Sequence, residues 1–264
     1  MTTPTPVDAP NLESAAITVA LAAAEAAIAA YVLAAYTRWL ASVVKAVLGG
    51  FLRFGIAPDP GAIWSTVPFW ERQVDELVDK LRLIARAGWI EAGRQLGVDL
   101  RYEPDDPILV DQLLRTRNLL VRTPDEVYRQ VIKALGESVA AGETVIDQVQ
   151  RVRHVLDITG TENWPARART VAVTEVHRAW NFGALAASMR IQRSEATVMI
   201  FKRWDARDDS ATRPGHKRAD GQTVSIYQPF IVNMEALMAP GDPSGSPSNV
   251  INCRCKPLFS RRNG

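Results

Sequence analysis

Apolar residues recur at helical spacing through the first two thirds of the chain and then give way to short runs broken by Gly, Pro and Asn. Residues 15–36 form a nearly unbroken apolar stretch, interrupted by Thr18 and Glu25 and long enough to cross a bilayer. Alanine dominates it, and a Glu near the middle of a span costs roughly 2–3 kcal/mol. We therefore read it as a helix whose small side chains let neighbouring helices approach closely, not as a membrane segment. Asn11 is its expected N-cap, and Gly49-Gly50 its expected end or bend. The run Phe51 to Phe54 packs behind it, and Pro58-Asp59-Pro60 turns the chain.

Val74, Leu77, Val78, Leu81, Ile84, Ala85 and Trp89 predict a second helix over 68–96, closed by Gly97. A third covers 107–120. A fourth opens at Thr123-Pro124-Asp125-Glu126, with Thr as N-cap, Pro in the first turn and Glu completing a capping box, and it stops at Gly142. Val145, Ile146, Val149, Val152 and Leu156 mark the stripe of a fifth, ending before Gly160. The pattern over 165–191 fits one long helix with Ala172, Val173, Val176, Trp180, Ala184 and Ala187 on its apolar face. Arg167, Arg169, Thr174, Glu175, His177, Arg178 and Asn181 lie on the other face.

After Thr197 the periodicity shortens. A strand runs to Trp204, followed by the charged loop 205–209, a turn over Thr212 to His216, and a tight turn at Asp220-Gly221. Further strands are expected over 224–227 and 253–258, separated by the Pro/Gly/Ser loop 240–248. The whole is an α+β chain: a predominantly helical N-terminal region over 1–160 and a small mixed α/β C-terminal domain over 161–264. Its terminal strand is expected to fold back and pair with the strand ending at Trp204.

Composition sharpens this in two places. A formal charge of +2 is too mild to announce a nucleic-acid binder, so only local clusters carry weight. Arg167, Arg169 and Arg178 on one helix face, and Arg261 and Arg262 in a basic tail with Lys256, are candidates for non-specific, salt-sensitive DNA contacts. The competing readings are a surface ion pair between Glu175 and Arg178, three residues apart, and a solvated, disordered tail. The chain has only two cysteines, Cys253 and Cys255, which build no disulfide framework and are read as free thiols in a reducing compartment. The start, Met1 to Pro6, lacks the basic region of a signal peptide.

Candidate chemistry gathers in the last third. His216, Cys253 and Cys255 are soft metal ligands, one short of a tetrahedral zinc site unless Asp205 or Asp209 completes it. A Cys-x-Cys in a strand sends its thiols to opposite faces, so one ion would require a bend; otherwise these are two small, semi-buried side chains. Asp205, Asp208, Asp209 and His216 have the composition of a Mg²⁺ or acid-base cluster. Arg207, Arg213 and Arg218 are close enough in sequence to hold those carboxylates as structural ion pairs instead. A protease reading finds Ser210 near His216 without a Gly-x-Ser-x-Gly elbow, and either cysteine with His216 or His177 without an activating group.

The order of these pieces is more specific than any one of them. Arg169-Thr170, Thr174-Glu175, Asn181 and Gly183 lie on a helix, then come the strand end Trp204-Asp205, and Asp209-x₂-Thr212-Arg213-x₂-His216. The Asp220-Gly221 turn, a Pro/Gly loop and a closing Asn252-Cys253-Arg254-Cys255 complete the series. Over about residues 165–260 this resembles the phage Mu F-like minor head proteins. The resemblance implies that Thr174, Glu175, Asn181, Trp204, Asp205, Asp209, Gly221 and Asn252 form a structural motif. It also implies a non-enzymatic minor capsid protein of the virion head interior, made in host cytoplasm, with portal protein, major capsid protein and double-stranded DNA as partners and no membrane. The expected roles are head assembly and DNA packaging or ejection, and the alternative is a head-maturation enzyme, either a metal-dependent nuclease or a capsid protease. Some relatives carry Cys at the positions of Arg213 and His216 and a His before the Asn-Cys-Arg-Cys, like a zinc knuckle. This chain has Arg213 and Val250 there, so zinc is the one cofactor candidate and no other is expected.

Overall fold

A computed structural model of the chain describes residues 12–158, 164–195 and 197–263. The expected cap Asn11, the chain start and the boundary at 160/161 lie outside them. The described residues form an α+β structure in which six helices pack together and a small sheet region closes one end.

Helix α1 (Leu12–Phe54) continues through Gly49-Gly50 and ends at Phe54, where Gly55 takes a positive φ of 66°. The expected stop fails because Val43, Val47 and Leu48 on its other side are buried, and that packing outweighs roughly 1 kcal/mol of helix propensity lost per Gly. By length and composition residues 15–54 are apolar enough to cross a membrane. Glu25, the charge within the apolar stretch, has a partner inside the fold: its Oε1 lies 2.7 Å from His177 Nε2.

A 3-10 helix (Pro60–Thr66), capped by the Asp59 carboxylate on Gly61 N–H, leads into α2 (Val67–Leu96). Gly97 ends α2 in the left-handed conformation, as the sequence requires. Helix α3 (Pro107–Leu120) is capped by Asp106. At α4 (Thr123–Ala140) the expected capping box does not form. Thr123 is already helical and donates its hydroxyl to Leu120 O, while Glu126 pairs with Arg167. The reciprocal box stands one helix later, at the start of α5 (Val145–Ile158). There Asp147 accepts from Thr144 N–H, and Thr144 Oγ1 accepts from Asp147 N–H. Val149, Val152 and Leu156 of the expected α5 stripe are buried, and Ile146 is exposed.

Helix α6 (Trp164–Ser194) is the axis of the molecule, and from Thr174 to Met189 nothing on it faces solvent. Its crossing with α2 is backbone on backbone. A Cβ on Gly88 would lie 2.1 Å from Trp180 O, and one on Gly183 would lie 2.0 Å from Ala85 O, so both positions admit only glycine. At the other end of α6, Trp164 stacks on Tyr36 with ring centroids 3.5 Å apart, and Trp39 and Trp70 pack around the pair.

In the C-terminal part, β1 (Val198–Asp205) is the middle strand of an antiparallel sheet between β2 (Thr223–Ser225) and β5 (Lys256–Asn263). A separate hairpin joins β3 (Phe230–Val232) to β4 (Glu235–Leu237). The terminal strand pairs with the Trp204 strand, Trp204 standing opposite Pro257, but it begins at Lys256, after the Cys-x-Cys. The segment expected to turn at Thr212 to His216 runs instead into a short helix, α7 (Pro214–Ala219), because Pro214 is preset for a first helical turn. A second short helix, α8 (Pro247–Val250), follows the Pro/Gly/Ser loop. Nor is the basic tail disordered or short of acids: Lys256 faces Asp205 at 3.8 Å and Arg261 faces Glu195 at 3.9 Å. Phe259 N–H donates to Gln95 and Arg261 to Leu96 O, tying β5 to the end of α2.

A buried motif network around a His-Cys-Cys cluster

The polar face of α6 turns inward. Thr174, Arg178 and Asn181 fall on one side of the helix, and each holds a loop of the C-terminal part. Asn181 Nδ2 donates to Pro240 O and Cys255 O, both at 2.9 Å. Arg178 Nε donates to Gly241 O at 2.9 Å, and its Nη1 reaches Glu175 Oε1 at 2.6 Å. The other Glu175 oxygen accepts from Thr116 of α3 at 2.6 Å. The ion pair expected between Glu175 and Arg178 thus exists, but it is buried, with side chains 4% and 6% exposed, and Arg178 offers no surface to DNA.

Thr174 Oγ1 accepts from Asn252 N–H at 2.9 Å, and Asn252 sits at φ 56°, a left-handed conformation that Asn tolerates better than most residues. This is the bend that the Cys-x-Cys requires. Because Cys253 and Cys255 precede β5, they escape the alternation of a strand, and both thiols reach one imidazole nitrogen. Cys253 Sγ lies 3.7 Å and Cys255 Sγ 3.4 Å from His216 Nδ1. Trp204 stands edge-on to both His216 and Phe230, so the cluster is walled by aromatic rings. The Cys255 hydrogen bond holds the Cys253 thiol below its usual range against the effect of burial. The Cys255 thiol is pushed up, first by Cys253 and then by burial.

The ligand atoms of His216, Cys253 and Cys255 all lie within 4.8 Å of one another. They line a cavity of about 10 Å³, room for a single water-sized occupant, together with Arg207 and Arg213. Two thiols and an imidazole suit a thiophilic ion, but among the described residues no fourth ligand joins them. Asp205 turns to Lys256, and Asp209 accepts from Arg254 at 2.8 and 2.9 Å and pairs with Arg207 at 3.2 Å. Burial pushes the Asp205 carboxyl up, whereas the Arg254 guanidinium holds that of Asp209 down against its desolvation. The carboxylates therefore do not converge on His216. Of the arginines expected to neutralise them only Arg207 does so; Arg213 donates to Ile251 O and Arg218 to Asn233. Asp208 and Ser210 are exposed, and His177 is engaged with Glu25 away from the cysteines. Gly221, at φ 77°, donates its N–H to Trp204 O and so fixes the end of β1.

The remaining DNA-contact candidates fall in two places. Arg167 is exposed, pairs with Glu126 and lies over Trp164, with Arg169 exposed nearby. Arg261 and Arg262 are at the far end of α6, roughly 40 Å away by helix rise, with Arg262 over the Phe201 ring. What the sequence did not disclose is Arg254. The middle residue of the Cys-x-Cys makes the principal ion pair of the cluster, and a lone Arg between two cysteines carries no signal of that partner.

Residues 129–258 match the family described as Phage Mu protein F like protein, so the likeness begins within α4, well ahead of the motif series. The chain is 28% identical over 148 residues to the minor head protein GP7 of Bacillus phage SPP1, an overlap of 56% of this chain and 45% of that relative. It thus spans less than half the length of that protein. No solved structure matches the chain.

Proposed function

We propose, on the premise that residues 129–258 of this chain are a Mu F-like domain, that the protein is a minor component of a phage head and works in head morphogenesis as a structural element. In this reading it associates with the portal protein and the inner face of the major capsid shell. It contributes to packaging or delivery of DNA, which its exposed arginines meet without sequence readout. One observation carries the structural, non-enzymatic role: the motif residues converge on a buried framework instead of lining a cleft. Thr174, Arg178 and Asn181 spend hydrogen bonds on loops, Glu175 spends its own on Arg178 and on Thr116 of α3, and the cavity at the cluster has room for about a water. A nuclease or protease needs a site that admits a phosphodiester or a peptide.

The test is co-expression with the portal protein followed by purification of portal oligomers and of mature heads. Recovery of the chain in either supports the reading. Absence from both, or cleavage of DNA or capsid precursor that His216→Ala abolishes, overturns it.

A second reading concerns the cofactor. Two thiols and an imidazole around a cavity of single-occupant size favour a thiophilic ion such as Zn²⁺, held by His216, Cys253 and Cys255. Metal analysis of untagged protein decides it. Near-stoichiometric zinc, with a melting temperature lowered by chelator, supports the ion; zinc-free protein that melts identically with and without chelator leaves a hydrogen-bonded thiol pair.

A further inference from the structure

The end of the bundle opposite the sheet carries a recess of about 620 Å³ between the last three turns of α1 and the 3-10 helix. Ser42, Ala46, Gly49 and Arg53 follow one another along it at steps of four, three and four, one face of a helix. Its rim is apolar and open: Leu52 is 70% and Phe54 75% exposed, with Ile56 and Trp64 exposed beside them.

Two features of the recess go unexplained by the packing of the described residues. The first is the glycine pair. Neither Gly49 nor Gly50 has a positive φ, and a Cβ on Gly49 would meet nothing within 4 Å, while one on Gly50 would meet only Ile56 Cβ at 3.8 Å. Glycine in a helix interior is unfavourable, and here neither a turn nor internal packing calls for it. What the pair does is lower the floor of the recess so that another backbone can come close. The second is charge. Lys45 and Arg53 are the ionised groups lining the recess, no acid lines it, and neither cation has a carboxylate partner among the described residues. Arg53, in the last turn of α1, also complements the helix end, but Lys45 is more than two turns before it, beyond the reach of that effect.

We propose that this recess is the docking site for an acidic amphipathic helix of a partner protein, laid along α1 with its apolar seam over Gly49-Gly50 and its carboxylates on Lys45 and Arg53. The straight, three-turn run of the floor suits a helix, and the unpaired cations select acidic flanks. The inference does not depend on the head-assembly reading.

Fluorescence anisotropy with a fluorescein-labelled helical peptide of leucine, alanine and glutamate heptads tests it on the full chain. Saturable binding is expected, with the counterpart carrying lysine for glutamate at least about tenfold weaker. Lys45→Glu with Arg53→Glu should invert that preference. Gly49→Leu should block the acidic peptide while the melting temperature stays level or rises, since the new side chain meets nothing internal and favours the helix. No saturable binding, equal binding of both peptides, or indifference to the charge reversal overturns the proposal. So does sedimentation with phosphatidylglycerol vesicles, lost on charge reversal, in place of peptide binding, which would make the recess a membrane contact.

Discussion

At the scale of single residues, the C-terminal part is held to α6 by groups that a polar-face reading sends to solvent. Arg178 and Glu175 form a buried pair whose remaining hydrogen bonds go to Gly241 O and Thr116. Removing one partner of such a pair leaves a charge without compensation, so Arg178→Ala is expected to lower unfolding free energy in urea by about 3–5 kcal/mol. Glu175→Leu combined with Arg178→Met should recover much of that loss. Lys202 gives a pH signature. It is wholly buried in β1, donates to Met238 O at 2.7 Å, and burial pushes its pKa down to about 8 from 10.5. Because the folded value lies below the unfolded one, the unfolded chain binds more protons between those two pH values, and stability rises across that window. Urea titrations at both ends should show a rise of roughly 2–3 kcal/mol relative to Lys202→Met, which lacks it. The sequence disclosed Thr174, Glu175 and Asn181 as motif members and His216, Cys253 and Cys255 as one group. It did not disclose their burial, because hydrophobic periodicity sorts polar residues outward and cannot see a hydrogen bond to a loop some sixty residues on, as from Asn181 to Pro240.

At the scale of elements, helix limits marked by a left-handed glycine were legible: Gly97 closes α2, and Gly142 takes a positive φ just past α4. Where tertiary packing overrides propensity they were not, as at Gly49-Gly50, and the three-residue strands β3 and β4 are too short to give an alternation signal. The α2 and α6 crossing depends on Gly88 and Gly183, the latter a member of the motif series, whose part in the fold the sequence alone left open. An added methyl at either would strike a carbonyl of the facing helix at about 2 Å. Gly183→Ala and Gly88→Ala are each expected to destabilise by about 3 kcal/mol or more in chemical denaturation. The double variant should lose less than the sum, since one separation of the helices relieves both clashes.

At the scale of the whole molecule, the texture change near Thr197 told correctly of a helical region and a small sheet region. It did not tell how far they share a core. One hydrophobic cluster runs from Leu21 of α1 through α2 and α6 to Phe259 of β5, and β5 is fastened to Gln95 and Leu96. Residues 161–264 alone would therefore carry a long helix stripped of α1, α2 and α3. Expressed as a fragment they are expected to aggregate or to show no cooperative melting transition by circular dichroism, whereas the full chain melts cooperatively.

The glycine crossing also limits how this protein can move. Helices separated by side chains slide past one another by swapping rotamers, but two main chains in contact have no such gearing. Any rearrangement on meeting a partner must carry α2 and α6 along as a single strut. The hairpin of α4 and α5 is joined to its neighbours through side chains, Glu126 on Arg167 and Tyr128 on Trp64 among them, so adjustment by rotamer exchange belongs there.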